Sequence, residues 1–181
     1  MSATDPDEAA PPPEPERRHG ALVERALGQT VLHVAADHYV DVARALLDEG
    51  FAMCLEVTGV DYLTHRGRSL PAGVLAERFE VVAQLVSFER RERVRLRVQV
   101  ADGAPPTVPS LFDVFPGVEA SERETYDMFG IEFTGHPDLT RILMPEDWEG
   151  HPLRKDYAVG RIPVQFKVVP RRAAPPGPGH E

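Results

Sequence analysis

A Gly-His-Pro triplet occurs twice in the second half of this 181-residue sequence, around His136 and around His151. With a nearby carboxylate, these two imidazoles could ligate zinc or iron and support a free-standing metal-dependent hydrolase. Motifs such as His-Glu-x-x-His bring metal ligands together by close spacing, whereas fifteen positions separate these histidines. Pro137 and Pro152 fix their own φ and favour extended backbone at the preceding histidine. The pattern therefore favours histidines that brace tight turns through hydrogen bonds.

A second candidate site is the pair of carboxylates Glu122 and Glu124, which flank Arg123. One interpretation makes the two glutamates an acid–base pair. The other is a helix with a charged outer face and an apolar inner face, in which Arg123 and Asp127 lie one turn apart and can form an ion pair. Gly130 would then close this helix in a left-handed conformation. The periodicity of the apolar residues favours the helix.

Other chemical motifs are missing from the sequence. Cys54 is the only cysteine, which excludes a disulfide within the chain and a cluster or structural zinc held by several thiolates of this chain. Because Cys54 lies in an apolar run, it is interpreted as a buried structural thiol. There is no Gly-x-Gly-x-x-Gly, no phosphate-binding P-loop and no Gly-x-Ser-x-Gly. We therefore expect no active site, no metal site and no cofactor site of the chain's own.

The charge balance argues against a nucleic-acid partner. Lys and Arg total 20 against 29 Asp and Glu, a formal net charge of −9, while a phosphate backbone rewards basic surfaces. Arg93, Arg95 and Arg97 alternate with apolar residues along one predicted strand. They could contact nucleic acid, protect an edge strand from aggregation or face an acidic protein, and the acidity makes nucleic acid the least favoured. No apolar run is long enough to cross a bilayer, so membrane association is expected only through other proteins.

The elements that must position these residues follow from hydrophobic periodicity and from helix and turn signals. Pro137, Pro145, Pro152 and Pro163 exclude a long helix or a central strand after the last helix. We predict an α+β fold, a mixed β-sheet covered by helices on one face and followed by an irregular, extended C-terminal segment. The predicted elements are a short helix over Ala21–Leu27, a strand over Val31–Ala35, a helix from an N-cap at Asp37 to Gly50, strands over Phe51–Tyr62, Arg78–Phe88 and Glu92–Ala101, a turn over Ala101–Pro109 and a helix over Glu119–Met128.

Composition divides the chain into three parts. Residues 1–20 are predicted to be a disordered, acidic, Pro-rich tail, and residues 170–181 a second disordered tail. Residues 21–169 are predicted to form one domain. Within it, residues 130–169 are irregular and dense in charge, which is typical of a segment that binds a partner.

Three strings in this part closely resemble the C subunit of bacterial proton-pumping NADH–quinone oxidoreductase, respiratory complex I, whose family is also called the 30 kDa subunit. They are Ser121–Ile131, Gly135–Leu139 and Arg141–Tyr157, and they include Glu-Arg-Glu-x-x-Asp-Met-Phe-Gly and Gly-His-Pro-Leu-Arg-Lys-Asp. A weaker resemblance covers Val60–Tyr62 and Arg78–Val82. One departure is that alanine stands at position 120, where many relatives carry tryptophan.

The resemblance implies a non-catalytic structural subunit of the peripheral arm, on the cytoplasmic side of the bacterial cell membrane, which supports the quinone module. It also implies that FMN, iron–sulfur clusters, NADH and quinone are bound by other subunits. The expected partners are the D and B subunits, with Arg161–Lys167 running over the D subunit. The expected interface and motif residues are Glu122, Arg123, Glu124, Asp127, Phe129, Gly130, His136, Pro137, Arg141, His151, Pro152, Arg154, Lys155 and Asp156. The alternative within the family is the same subunit of a related membrane-bound hydrogenase or of a dehydrogenase with another electron donor.

Overall fold

A mixed six-stranded sheet forms the centre of the computed structural model, which describes residues 14–65 and 67–158. The strands are β1 (Arg17–Arg18), β2 (Ala21–Ala26), β3 (Gln29–Val34), β4 (Met53–Asp61), β5 (Phe79–Ser87), β6 (Glu92–Val100), β7 (Thr107–Pro109) and β8 (Glu132–Thr134). Helix α1 spans Tyr39–Asp48 and α2 spans Glu119–Phe129, each preceded by a 3₁₀ turn.

The strand order in the sheet is β1-β2-β3-β6-β5-β4, and β7 pairs with β8 in a separate two-stranded sheet. Strand β3 runs parallel to β6, because the chain crosses through α1, β4 and β5 between them, and the other neighbours in the large sheet are antiparallel. The predicted α+β class with a mixed sheet is confirmed.

One face of the sheet carries the core. On β6 the residues Val94, Leu96, Val98 and Val100 are buried, and the arginines between them lie on the opposite face. Burying each such aliphatic side chain stabilises the fold by roughly 1.5–3 kcal/mol. Both helices contribute buried side chains to the same core, including Tyr39 and Leu46 of α1 and Met128 and Phe129 of α2.

Close contact between α2 and β4 depends on Gly59. A Cβ atom at this position would lie 2.9 Å from Cδ2 of Phe129 and 3.1 Å from Cγ2 of Thr125. The hydroxyl of Thr125 donates to the carbonyl oxygen of Ser121 at 2.9 Å and lies 3.3 Å from the carbonyl oxygen of Val57 on β4. Helix α2 therefore packs directly on β4, an edge strand of the sheet. This contact fixes the position of the residues that α2 carries.

The helix predicted over Ala21–Leu27 is wrong, since Ala21–Ala26 form strand β2. The run is too short for helical periodicity to be diagnostic, and Leu27 and Gly28 both have positive φ, 51° and 75°. Two successive residues of this kind make the tight hairpin turn that pairs β2 with β3. Arg17–Arg18 also pair with β2, so regular structure begins inside the range 1–20, which the sequence predicts to be a tail.

The arginine face of β6 does not belong to an edge strand, because β6 lies between β3 and β5. Arg97 donates from Nε to Oε1 of the buried Glu80 at 2.8 Å, and its Nη1 lies 4.0 Å from Oε2 of Glu24. Acidic neighbours neutralise the charge of Arg97, so protection of an edge strand does not explain this arginine.

The segment predicted to be a turn, residues 101–109, contains a short strand, β7.

Candidate functional site

The candidate site consists of helix α2 and the irregular segment 135–157 that is held against it. Helix α2 covers the predicted range and extends one residue further, to Phe129. Acidic residues in its first turn, Glu119 and Glu122, suit the positive end of the helix dipole. Gly130 ends the helix with φ 72° and ψ 24°, so the predicted left-handed cap is confirmed.

The carboxylate of Asp127 is the anchor of the site. Its side chain is 0% exposed and accepts hydrogen bonds from Nη1 of Arg141 at 2.6 Å and from the backbone N–H groups of Ile142, Leu143 and Met144 at 3.1, 2.8 and 2.8 Å. Burial alone would raise the pKa of Asp127, but the three amides and Arg141 outweigh it and hold the pKa below its ordinary value. An ionised Asp127 thus fixes the backbone of residues 142–144.

Arg123 makes a second attachment of the same segment. Its Nε donates to the carbonyl oxygen of Thr140 at 3.1 Å, and its Nη2 donates to Oγ1 of Thr140 at 2.9 Å and to the carbonyl oxygen of Arg141 at 3.2 Å. The expected ion pair between Arg123 and Asp127 is wrong, because Arg141 binds Asp127 instead. The ion-pair partner of Arg123 is Glu119, at 3.9 Å.

His151 packs over the end of α2. Its Nδ1–H donates to the carbonyl oxygen of Asp127 at 2.9 Å, and its ring makes an edge contact with Tyr126. A Cβ atom on Gly130 would lie 2.6 Å from Cδ2 and Nε2 of His151, so only glycine fits there. Burial is the main reason that the pKa of His151 lies below its ordinary value. Next to it, Arg141 donates from Nη2 to the carbonyl oxygen of Gly150 at 3.0 Å.

His136 stabilises the turn at residues 136–138 and holds it against the first turn of α2. Its Nε2–H donates to the carbonyl oxygen of Glu119 at 3.1 Å, and its Nδ1 accepts from the backbone N–H of Asp138 at 3.1 Å. The expectation that the histidines brace turns is confirmed for His136, whereas His151 holds its segment against the C-terminal end of α2. In the part of the chain that the structure describes, no group of three or more His, Cys, Asp and Glu side chains is arranged to hold a metal ion. Cys54 is half-buried, and burial raises the pKa of its thiol to about 11.

The far end of the segment is attached to the sheet. The backbone N–H of Lys155 donates to Oδ2 of Asp61 at 2.9 Å. Arg78 binds both oxygens of Asp61, at 3.1 and 3.0 Å, and its Nη2 lies 2.8 Å from Oδ2 of Asp156. Arg154 lies over the ring of Phe79 and binds Asp156 at 3.3 Å. Burial alone would raise the pKa of Asp61, but Arg78 and two backbone amides hold it below its ordinary value.

Asp61 and Arg78 belong to the site although the motif residues chosen from the sequence did not include them. They are distant in sequence from residue 155, and no periodic pattern connects them. The available signal was the weak upstream resemblance, which contains both residues.

Glu122 and Glu124 do not form an acid–base pair. Glu122 is fully buried and accepts hydrogen bonds from the hydroxyl of Ser110 at 2.5 Å and from the N–H of Leu111 at 2.8 Å, whereas Glu124 is exposed. Burial raises the pKa of Glu122 above its ordinary value. Glu122 therefore fixes the chain that leads into α2, and the acid–base interpretation is wrong.

Replacement of Glu122 by glutamine should change the pH dependence of stability. Because the pKa of Glu122 is raised in the folded state, its contribution is fully present below the unfolded pKa and is lost as the pH rises through the folded pKa. Glu122→Gln should therefore lose less stability than the parent chain as the pH rises from about 4 to neutral. Chemical unfolding across this range measures the difference. The exposed Glu124→Gln is the control, and equal pH profiles for the parent and Glu122→Gln would contradict the prediction.

Three further motif residues differ in how deeply they are buried. Phe129 is buried against Gly59, Pro152 is partly buried and Pro137 is exposed. The proposed contact of this set with a partner stays a prediction. Arg161–Lys167, the tail 170–181 and residues 1–13 lie outside the described residues.

The family model described as the 30 kDa subunit of respiratory-chain NADH dehydrogenase matches residues 32–162. The matched range contains α2, the anchored segment and both Asp61 and Arg78. The chain belongs to this family.

Several curated relatives are named as the C subunit of NADH-quinone oxidoreductase. The protein from Saccharopolyspora erythraea is 47% identical over 143 residues, which cover 77% of this chain and 53% of that protein. The protein from Roseiflexus sp. is 48% identical over 160 residues, which cover 83% of this chain and 86% of that protein. The chain spans 59% to 60% of the length of three further relatives, from two Salinispora species and from Nocardia farcinica.

Two solved structures resemble the fold. A trypsin-resistant fragment of Nqo5 matches with a TM-score of 0.58 and 32% identity, over 66% of this chain and 90% of the fragment. A chain of the membrane-bound sulfane sulfur reductase, an archaeal respiratory membrane complex, matches with a TM-score of 0.63 and 25% identity, over 77% of this chain and 78% of that one. Among residues 14–65 and 67–158, neither helix has the length and apolarity to span a membrane.

Proposed function

We propose that this chain is a non-catalytic structural subunit of the peripheral arm of proton-translocating NADH:quinone oxidoreductase, respiratory complex I. There it supports the quinone module during electron transfer from NADH to quinone. The observation that carries the proposal is that the strings of family resemblance are the same residues that build the site. Asp127, Arg141 and His151 join α2 to the segment 135–157 as one rigid surface.

The chemistry of the site supports a structural role. The ring N–H groups of His136 and His151 donate to backbone carbonyls, and Glu122 accepts from Ser110 and Leu111. These groups are engaged in holding loops, which disfavours the metal-dependent hydrolase. In the proposal this chain binds no cofactor, and FMN, the iron–sulfur clusters, NADH and quinone are bound by other subunits of the complex.

The proposed partners are the D and B subunits and other subunits of the peripheral arm, with no nucleic acid. The proposed location is the cytoplasmic side of the bacterial cell membrane, reached only through the complex. An irregular segment whose backbone is held by buried side chains can present a fixed surface to a neighbouring subunit.

A second candidate is the equivalent subunit of a complex with another electron donor, such as a membrane-bound hydrogenase. The likeness to a chain of the membrane-bound sulfane sulfur reductase favours keeping it. The electron donor binds to other subunits in both cases, so the fold of this chain suits either.

Co-purification tests the proposal. The tagged full chain replaces the native copy, membranes are solubilised in mild detergent, and the recovered subunits are identified by mass spectrometry. We expect the D and B subunits together with flavin-bearing, NADH-oxidising subunits. Recovery with a hydrogenase or another input module would establish the second candidate. Recovery of the chain alone, from the soluble fraction, would contradict both.

A further inference from the structure

Three large aliphatic side chains project into solvent from the site. Ile142, Leu143 and Leu153 are 42%, 60% and 48% exposed, and we call them the aliphatic ridge. Single exposed aliphatic residues are common on protein surfaces, but a group of them is typical of an interaction site. The same part of the fold holds all three residues, because both stretches of backbone that carry them are hydrogen-bonded to the C-terminal end of α2.

The exposure of the ridge is fixed by buried contacts. The amides of Ile142 and Leu143 donate to the carboxylate of Asp127, and the amide of Leu153 donates to the carbonyl oxygen of Met128 at 3.0 Å. Since the backbone is held, the directions of the Cα–Cβ bonds are fixed, and the three side chains stay at this surface as long as these bonds are intact. A surface ordered before binding loses less conformational entropy when a partner covers it.

Three acidic residues lie between the two parts of the ridge in the sequence. Glu146, Asp147 and Glu149 are exposed, and we call them the acidic rim. None of the three has an ion-pair or side-chain hydrogen-bond partner within the part of the chain that the structure describes. Within residues 14–65 and 67–158 the rim thus carries three acidic side chains without a partner, in the stretch of chain that joins the two parts of the ridge.

We propose that the aliphatic ridge and the acidic rim dock into an apolar depression bordered by Lys or Arg on a neighbouring subunit. The inference rests on the proposed function, because it assumes a complex in which such a subunit exists. A second copy of this chain fits less well, since its net charge of −9 would place like charges together. An anionic lipid surface would repel the rim in the same way.

The first test places a charge on the ridge. Leu143→Asp should reduce the yield of partner subunits per tagged chain by about tenfold or more, because the charge would be buried without a partner. The matched control is Leu75→Asp, at an 81% exposed leucine outside the site, which should leave the yield unchanged. Leu143→Ser is a milder second variant. Thermal unfolding of each full chain checks that the fold is retained.

The second test reverses the charge of the acidic rim. The triple change Glu146→Lys, Asp147→Lys and Glu149→Lys should release the partner subunits at a lower salt concentration than the parent chain requires. The control triple reverses exposed acids elsewhere, Asp37, Asp48 and Glu89. Carbodiimide coupling, which joins carboxylates to lysines, should link the rim to a lysine of one neighbouring subunit in the intact complex.

The outcomes separate this inference from the proposed function. If the unaltered chain recovers no NADH–quinone oxidoreductase subunits, the proposed function fails and the inference fails with it. If the unaltered chain recovers them and folded Leu143→Asp and the rim triple behave like their controls, the docking surface is wrong while the proposed function stands. Rim crosslinks to a second copy of the chain, or recruitment of the isolated chain to vesicles of anionic lipid through the ridge, would also overturn it.

Discussion

Replacement of Asp127 by alanine should lower the free energy of unfolding by about 3–5 kcal/mol, the cost of removing one partner from a buried charge pair. The change removes the acceptor for Arg141 and for three backbone amides at once. It also leaves the guanidinium of Arg141, which is largely buried, without its carboxylate. Urea unfolding of the full chain at neutral pH measures the loss.

The matched control is Glu124→Ala, an exposed carboxylate on the same helix, which should change stability by less than about 0.5 kcal/mol. The pH dependence has a definite sign. Because the pKa of Asp127 is lowered in the folded state, its contribution is present at neutral pH and is lost as the pH falls through the folded pKa. The parent chain and Asp127→Ala should therefore converge in stability in acid. Similar losses for both variants at neutral pH would refute the anchoring role.

Gly130→Ala should lower the free energy of unfolding by about 2–5 kcal/mol, the sum of left-handed strain and overpacking. The residue has φ 72°, and its new Cβ would lie 2.6 Å from the ring of His151. That ring cannot move freely, because it is bonded to the carbonyl oxygen of Asp127 and lies against Tyr126. Denaturant unfolding and a crystal structure of the variant would show whether residues 150–153 are displaced.

Gly135→Ala separates the two contributions. Gly135 also has positive φ, 88°, but nothing lies within 4 Å of a Cβ placed there, so this variant carries only the backbone strain. Gly130→Ala combined with His151→Ala should cost less than the sum of the single changes, since the clash is then absent. If Gly130→Ala and Gly135→Ala cost the same, the close packing of His151 has no energetic role.

Regular elements could be predicted where one side of the chain is apolar. The sequence predicts strand β6 and helix α2 to within one residue of their ends. The reason is that their buried side chains recur with the period of a strand in β6 and of a helix in α2. The sequence predicts a helix where β2 lies, because the decisive feature is the backbone conformation of the hairpin turn at Leu27 and Gly28. Leucine at a positive φ is a tertiary outcome that no local propensity indicates.

The sequence predicts many members of the site, but it does not predict Asp61, Arg78 or the contacts that join the members. Asp127, Arg141 and His151 were chosen from the strings, yet the pairing of Arg123 with Asp127 was wrong. Spacing along a helix gives only the pairs that are possible, and a partner from a loop can displace the helical one. The contact of Asp61 with Lys155 joins residues 94 positions apart, so only the folded chain reveals it.

The order in which the chain is synthesised determines which partner of each Asp127 contact exists first. Asp127 and Asp61 precede residues 141–155 in the chain, so a ribosome completes both acceptors before it makes their donors. The segment has no helix or strand of its own beyond Thr134 in the described range, and it is captured onto a scaffold that already exists. A nascent chain that stops short of Arg141 leaves the end of α2 uncovered. Its Asp127 carboxylate lacks all four donors that residues 141–144 supply in the folded chain.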